Sequence, residues 1–349
     1  MTKWEKAVVG LIALLAAGAG ATHYSGAPAV PAFAIATLAL AGLAWIVGFA
    51  TEQVGERLGP AATGVLQSTL GNLPEFFVVV FALNAGKTVV AQTSIIGSIF
   101  ANALLVLGLV VVAGARHSGD GIMRFQRKLP NDTATLLMLS VFTIVLVGIS
   151  VASSDRASHH VKGLSIVASA CLLVVYVAWV IPYVRSGAAG ERRERAPRVP
   201  TSLSVALLFA GGAGSAFVSD WFVSALSPAM DSLHLSDAFA GLVVVAIAGN
   251  AVENFAGIML AAKGQSDLAI SVVKNSVSQV SVFLFPLLIL VSLFFPTPLT
   301  FSLAPVYIGA LALTALAVWQ ITGDGEAAAF EGVALLGLYV ILATLTLYE

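Results

Sequence analysis

The sequence predicts an all-α polytopic membrane protein of about 11 transmembrane helices, with one extra N-terminal helix ahead of two inverted repeats of five. Three observations predict it. Only 10% of the 349 residues are charged and 58% are hydrophobic, where an average soluble domain is about 25% charged. Apolar runs long enough to cross a bilayer recur along the whole chain. Two neighbouring runs also share a residue pattern with two later ones.

Composition sets the solvent. With a mean hydropathy of +0.96, the chain carries more apolar surface than a water-soluble fold can hide, so most of it must face lipid. The net charge of −1 comes with no basic patch, and a nucleic-acid partner is not expected. The single cysteine, Cys171, lies in an apolar run. It allows no disulfide within the chain and reads as core packing. Met1 to Lys6 followed by an apolar run resembles a signal peptide, with small residues near Ala21. The many later spans favour a retained first helix instead.

About 20 apolar residues cross the hydrocarbon core. By that rule the spans fall near 6–22, 30–50, 62–84, 88–114, 133–152, 162–184, 201–227, 238–262, 267–294, 301–321 and 328–347. Runs beyond 25 residues imply tilt or an internal break. Charge tests the count. With a cytoplasmic N-terminus, 13 of the 17 Lys and Arg fall inside: Lys3, Lys6, Arg57, Arg116, Arg124, Arg127, Lys128, Arg185, Arg192, Arg193, Arg195, Arg198 and Lys263. Only Lys87, Arg156 and Lys162 fall outside, and Lys274 lies within a span. The asymmetry obeys the positive-inside rule. A cell (inner) membrane location is expected, N-terminus cytoplasmic and C-terminus outside.

The expected organisation is an extra helix over 1–25, repeat 1 over 26–184, a cytoplasmic linker over 185–200 and repeat 2 over 201–349. The linker, RSGAAGERRERAPRVP, is the most charged stretch and has no periodic apolar face. The repeat is read without gaps. Gly71, Asn72, Glu75, Gly86 and Ser98 match Gly249, Asn250, Glu253, Gly264 and Ser276, all 178 apart (253 − 75 = 178). Five helices separate mates, and an odd number of crossings inverts the second copy. Transporters built this way bind substrate where the repeats meet.

Each copy opens with Gly-Asn inside an apolar helix. Gly71 and Gly249 weaken the helix, the asparagines offer competing side-chain bonds, and Pro74 removes a backbone donor. Asn72 and Glu75 are three apart and expected on one helix face, as are Asn250 and Glu253. The following helices add Ser98 and Asn102, four apart, and Ser276 and Gln279, three apart. Together these residues offer carboxylate, amide and hydroxyl oxygens, which hard cations such as calcium prefer. None of the five histidines (23, 117, 159, 160, 234) lies deep in a span, which argues against zinc or copper. No cofactor is expected.

Carboxylates in hydrocarbon are expensive and usually functional. Water-poor surroundings favour the protonated pair, whereas a divalent cation favours the ionised pair. Proton and cation then compete for one site, and competition becomes exchange if the carrier moves only when that charge is neutralised. Glu75 and Glu253 are therefore the expected proton- and metal-binding residues. Glu52, ending helix 2, and Asp220, near the outer end of helix 7, are expected to attract cations at the two entrances.

These residues resemble the calcium/cation antiporter superfamily, and its H+/Ca2+ exchanger (CAX) branch most. ATEQVGERLGP, GNLPE and GSIFANALLVLGL look like the family's first half. GNAVE, DLAIS and the Ser-x-x-Gln of Ser276 and Gln279 look like its second, and RFQRKLPNDTATLL like its cytoplasmic connection. The resemblance implies eleven helices, alternating access, and paired glutamates that bind the cation and carry protons. Four positions depart. Pro74 makes GNLPE partly like the GTSxPE motif of Na+/Ca2+ exchangers. Asn254 stands where histidine often follows the second glutamate. Asn275 replaces a small residue, and Lys274 an apolar one. Lys274 is expected either to snorkel toward the cytoplasm or to stand as a resident charge near the site.

The function expected is exchange of a cation, Ca2+ first, for protons, with bilayer, cation and protons as partners. Na+/H+ and Na+/Ca2+ exchange remain as alternatives, and a cation channel as a different class. Association into a homo-oligomer is left open. An intramembrane hydrolase would need a nucleophile–histidine, paired-aspartate or HExxH-type constellation, which the sequence lacks.

Overall fold

A computed structural model describes residues 1–55, 70–187 and 199–349, with the side chain of Glu253 outside the described set. Arg57, most of the linker and the start of the expected third span thus lie outside the described residues. The chain is nearly all helical: α1 (Lys3–Ser25), α2 (Ala29–Gly55), α3 (Leu73–Asn84), α4 (Thr88–Ser118), α5 (Lys128–Ala152), α6 (Val161–Gly187), α7 (Thr201–Leu233), α8 (Asp237–Gly249), α9 (Ala251–Ala262), α10 (Ser266–Ser292), α11 (Pro305–Thr322) and α12 (Ala329–Leu347). Among the described residues nine helices are long and apolar enough to cross a membrane, and ten if α8 and α9, bent by 57°, form one broken span. Large apolar side chains such as Phe142, Phe209, Phe217 and Phe330 are exposed. In water such surface would be a liability; against lipid it is the rule. The protein is a multi-pass integral membrane protein.

The helices gather into two compact units, Met1–Ser94 with Ala178–Val252, and Ile95–Val177 with Glu253–Glu349. Each unit draws on both sequence copies. In the first unit α1, capped by Thr2 and Glu5, packs on α2. A Cβ at Gly42 would come within 2.7 Å of Ile12. Helices α2 and α7 form the main pair, and they run antiparallel. Gly211 sits by Val47, Gly214 by Leu43, and Phe222 by Phe33.

In the second unit α4 and α12 cross closely, because each of Gly108 and Gly332 would place a Cβ 2.7 Å from the other's carbonyl oxygen. Small residues at crossings are how apolar helices gain contact in lipid. Hydroxyls join α10 to α5: Ser278 donates to the Thr133 carbonyl (3.2 Å) and Ser140 to the Ser281 carbonyl (2.8 Å). These contacts run the two helices parallel. A two-stranded antiparallel ribbon, β1 (Ile122–Arg124) with β2 (Glu326–Ala328), joins two loops of this unit. Arg124 bridges Asp120 (2.7 Å) and Glu326 (3.4 Å) there.

Several expectations need correction. Cys171 is exposed rather than core. Helix α7 continues to Leu233, which leaves Asp220 exposed and roughly 20 Å short of the helix end instead of near it. The ribbon was not anticipated, because three-residue strands carry too little alternation to read.

The two sequence copies share backbone detail. After α3, the Lys87 amide donates to the Ala82 carbonyl (2.7 Å) around Gly86 at φ +72°. After α9, Gln265 donates to Leu260 (3.0 Å) around Gly264 at φ +73°. Both are glycine-terminated Schellman caps, again 178 residues apart. Helices α4 and α10 each contain a π-helical segment, Ala101–Val106 and Val280–Leu284, also in register. The same two helices are the most interior, with 83% and 78% of their most apolar stretch buried.

Candidate functional site

Each unit contributes a polar cluster built on matched features of the two copies. In the first unit Asn72 caps α3 with Pro74 in the first turn and Glu75 at the third position. An acid there meets the positive end of the helix dipole. Asn72 and Asn250 both leave helical geometry, with φ, ψ of −81°, 5° and −93°, 12°. The helix breaks expected at Gly71-Asn72 and Gly249-Asn250 are present. The asparagines sit in the breaks themselves: the Asn72 carbonyl accepts from the Phe76 amide at 3.0 Å as α3 begins, and the Asn250 amide donates to the Ala246 carbonyl at 3.3 Å as α8 ends.

Glu75 is only 4% exposed and Asn250 1%. The Asn250 amide nitrogen donates to Glu75 Oε1 and also to the Ala246 carbonyl at 2.9 Å. One carboxamide thus ties the end of α8 to the carboxylate of α3. Gly249 makes room for this contact, since a Cβ there would lie 2.6 Å from Glu75 Cγ. Gly241, at the start of α8, comes as close to Thr93 and Ser94 of α4. The glycines are the reason α8 can lie against the α3–α4 hairpin.

Glu52 is half-buried near the end of α2. From the antiparallel contacts of α2 and α7, it lies level with the first turns of α7. Asp220 lies level with about residue 37. The two are separated by roughly 22 Å along the pair, at different levels of one unit.

In the second unit Ser98 (1%), Asn102 (0%), Ser276 (1%) and Gln279 (1%) are all buried. The Asn102 amide nitrogen donates to Ser276 Oγ at 3.1 Å, so α4 and α10 meet through the residues the repeat singles out. Asn102 is the second residue of its π segment, and Gln279 immediately precedes the other. Such segments frequently mark functional positions. Glu253 lies in the first turn of α9, and its side chain is outside the described residues. Asn275 is 7% exposed.

Lys274 is 1% exposed and does not snorkel. Its ammonium donates to Thr322 Oγ1 at 3.1 Å, and that hydroxyl donates in turn to the Val318 carbonyl at 2.7 Å. Thr322 is the last residue of α11, where the dipole favours a cation. The snorkelling expectation failed because lysine directions along a helix depend on a tertiary partner, here 48 residues away. Thr322 was missed for the same reason.

Buried carboxylate, amides and hydroxyls, without imidazole or thiol, suit a hard cation. Comparison with known proteins points to the same chemistry. The family model described as sodium/calcium exchanger protein matches residues 28–182 and 203–348. The chain is 31% identical to the Ca2+/H+ antiporter ChaA of Bacillus subtilis over 90% of its own length and 92% of that protein. It is 30% identical to a Ca2+/H+ antiporter of Synechocystis, over 93% and 92%. Among solved structures, that of native YfkE superposes with a TM-score of 0.82 at 27% identity, covering 98% of this chain and 100% of the other. The structure of the H+/Ca2+ exchanger CAX shares the fold at a TM-score of 0.75 and 15% identity, over 99% and 93%. With its two matched segments spanning most of the sequence, the chain belongs to the sodium/calcium exchanger protein family.

Proposed function

We propose that the protein is a secondary active transporter that exchanges Ca2+ for protons by alternating access. Glu75 and Glu253 hold the cation and carry the protons. One observation supports this reading above the others. Glu75 is a carboxylate in an apolar interior, yet its donor is the break asparagine of the other sequence copy, Asn250. A structural acid would need no such matched partner. A hydrogen bond to the carboxylate favours its ionised form, and water-poor surroundings favour the neutral acid. The site is thereby poised so that a cation and protons displace one another.

Asn72 and Asn250 steady the helix breaks. Ser98, Asn102, Ser276 and Gln279 supply neutral oxygens, and Lys274 and Asn275 tune selectivity. Glu52, near the end of α2, draws cations to one entrance. The antiparallel course of α2 and α7, helices that stand as mates in the two copies, supports the inverted-repeat reading with 1–25 as an added helix and 185–200 as linker. The positive-charge pattern supports a cytoplasmic N-terminus. Proteoliposomes with an acid interior and a pH-sensitive dye test the function on addition of Ca2+, Na+, K+, Mg2+ or Mn2+. Dequenching by Ca2+, lost in Glu75→Gln and in Glu253→Gln, is the expected result. A response to Na+ alone would replace the cation, and silence to every cation would remove proton coupling.

A further inference from the structure

A cavity of about 330 Å³ opens in the first unit between α1, α2 and α7, where α1 turns into α2. It exists because the side chains facing it are short. Ala19 on α1, Ala32 and Ala36 on α2 and Ala225 on α7 leave a gap that larger apolar residues would close. Trp221 forms one wall, and Tyr24 and Phe217 pack on its ring with centroids 6.0 and 6.4 Å away. Tyr24 is 78% exposed and Phe217 64%. Such rings, at the end of two spans, mark the headgroup level of a bilayer.

Two polar side chains of the lining are paired. Ser224 Oγ lies 3.1 Å from His23 Nδ1 and donates its one hydrogen to the Trp221 carbonyl at 2.8 Å. The His23 Nδ1–H therefore donates to Ser224, and Nε2 of the neutral ring is an acceptor. The Thr22 hydroxyl is likewise spent on the Ala19 carbonyl, at 2.9 Å. Pro228 in α7 has no N–H, which leaves the Ser224 carbonyl without its helical donor. The lining thus asks for a hydrogen-bond donor. Beside it α1 ends and α2 begins, which sets a negative and a positive helix pole side by side. That is the charge pattern complementary to a zwitterionic head.

We propose that this cavity is a lipid site that holds the head of one amine-headed phospholipid, of the phosphatidylethanolamine class, with His23 accepting from its ammonium. The occupant comes from the bilayer, because the walls belong to spans and residues such as Leu38 and Phe217 on the same helices are exposed. The volume is at the small end of ligand cavities, about 300–1,000 Å³, and suits a head and glycerol with the acyl chains left outside. A trimethylated head has no hydrogen to donate, and an anionic head without an amine lacks the positive pole. The site stands apart from Glu75, and its test reads no transport.

The thermal midpoint of the delipidated, detergent-solubilised protein is measured with added phosphatidylethanolamine, phosphatidylcholine or phosphatidylglycerol, all dioleoyl, for wild type, His23→Phe and Ala225→Phe. Phosphatidylethanolamine should raise the wild-type midpoint by roughly 3–6 °C more than phosphatidylcholine does. His23→Phe keeps a ring against Trp221 and removes the acceptor, and Ala225→Phe fills the cavity. Each should cut the difference to below about 1 °C. Equal shifts by phosphatidylethanolamine and phosphatidylcholine in wild type overturn the site, and so does a difference that survives in either variant. A larger shift by phosphatidylglycerol than by phosphatidylethanolamine also overturns it. The half-exposed His23 reads the site even where Ala225→Phe fails to fold, and the wild-type comparison of the three lipids needs no variant.

Discussion

Gly249 and Glu75 occupy one another's space, and this makes the glycine a functional position. A Cβ at 2.6 Å from Glu75 Cγ must push the carboxylate away from Asn250. Gly249→Ala should therefore lower calcium exchange by about tenfold or more at a stability loss of only about 1–3 kcal/mol, read as flux against thermal midpoint. Lys274 is the opposite case, a charge whose removal should help the fold. Replacing a buried ion by a well-packed apolar group is often neutral or stabilising. Lys274→Met should hold or raise the thermal midpoint and broaden the range of cations accepted. Thr322→Val, which strands the ammonium, should destabilise by about 1–3 kcal/mol. A selectivity profile unchanged in Lys274→Met would reduce the lysine to a packing role. At this scale the sequence was readable where chemistry is rare. An acid in an apolar run is conspicuous, and its match at a fixed offset named Asn250 as well as Glu253. Which neutral side chain receives Lys274 was not readable, because hydroxyls such as Thr322 are common in spans.

The caps after α3 and α9 make a paired experiment. Each glycine has φ above +70°, where an L-residue costs about 1–2 kcal/mol. A Cβ at Gly86 meets open space, but one at Gly264 meets the His117 ring. Gly264→Ala should therefore lower the thermal midpoint more than Gly86→Ala, and equal losses would mean that the ring yields freely. The ribbon of β1 and β2 tests a different physical effect. Its Arg124 holds the Asp120 carboxyl below the usual carboxylate range, chiefly by the hydrogen bond between them. A depressed acid contributes stability above its unfolded value, about 3.9, and loses it only as pH falls through the lower folded value. The pH dependence of exchange between about pH 5 and 8 should thus be the same in Arg124→Ala as in wild type, and the exposed pair should add little stability. The helix breaks at Asn72 and Asn250 were legible, since glycine, asparagine and proline act locally. The π segments were not, because one extra residue in a helical turn leaves no compositional mark.

For the molecule as a whole, apolar patterning reveals which segments span but not which are central. Helices α4 and α6 are almost equally apolar, yet the first is 83% buried in its most apolar stretch and the second 22%. Lipid and protein interior are alike to a hydropathy scale, so the compact units, each mixing both sequence copies, could not be drawn from sequence. The side of the membrane is more accessible, because charge records it. The loop holding Gln126 and the turn holding His159 flank α5. If α5 is a single span, they face opposite compartments, with Gln126 inside. Cys171 is exposed on α6 and would confuse the readout, so the test begins from Cys171→Ser. In that background His159→Cys should react with a membrane-impermeant maleimide on intact cells, and Gln126→Cys only after permeabilisation. The reverse pattern would invert the orientation while keeping the span. Labelling of both from one side would remove α5 as a crossing, and with it the odd number of spans between mates that makes the second copy inverted.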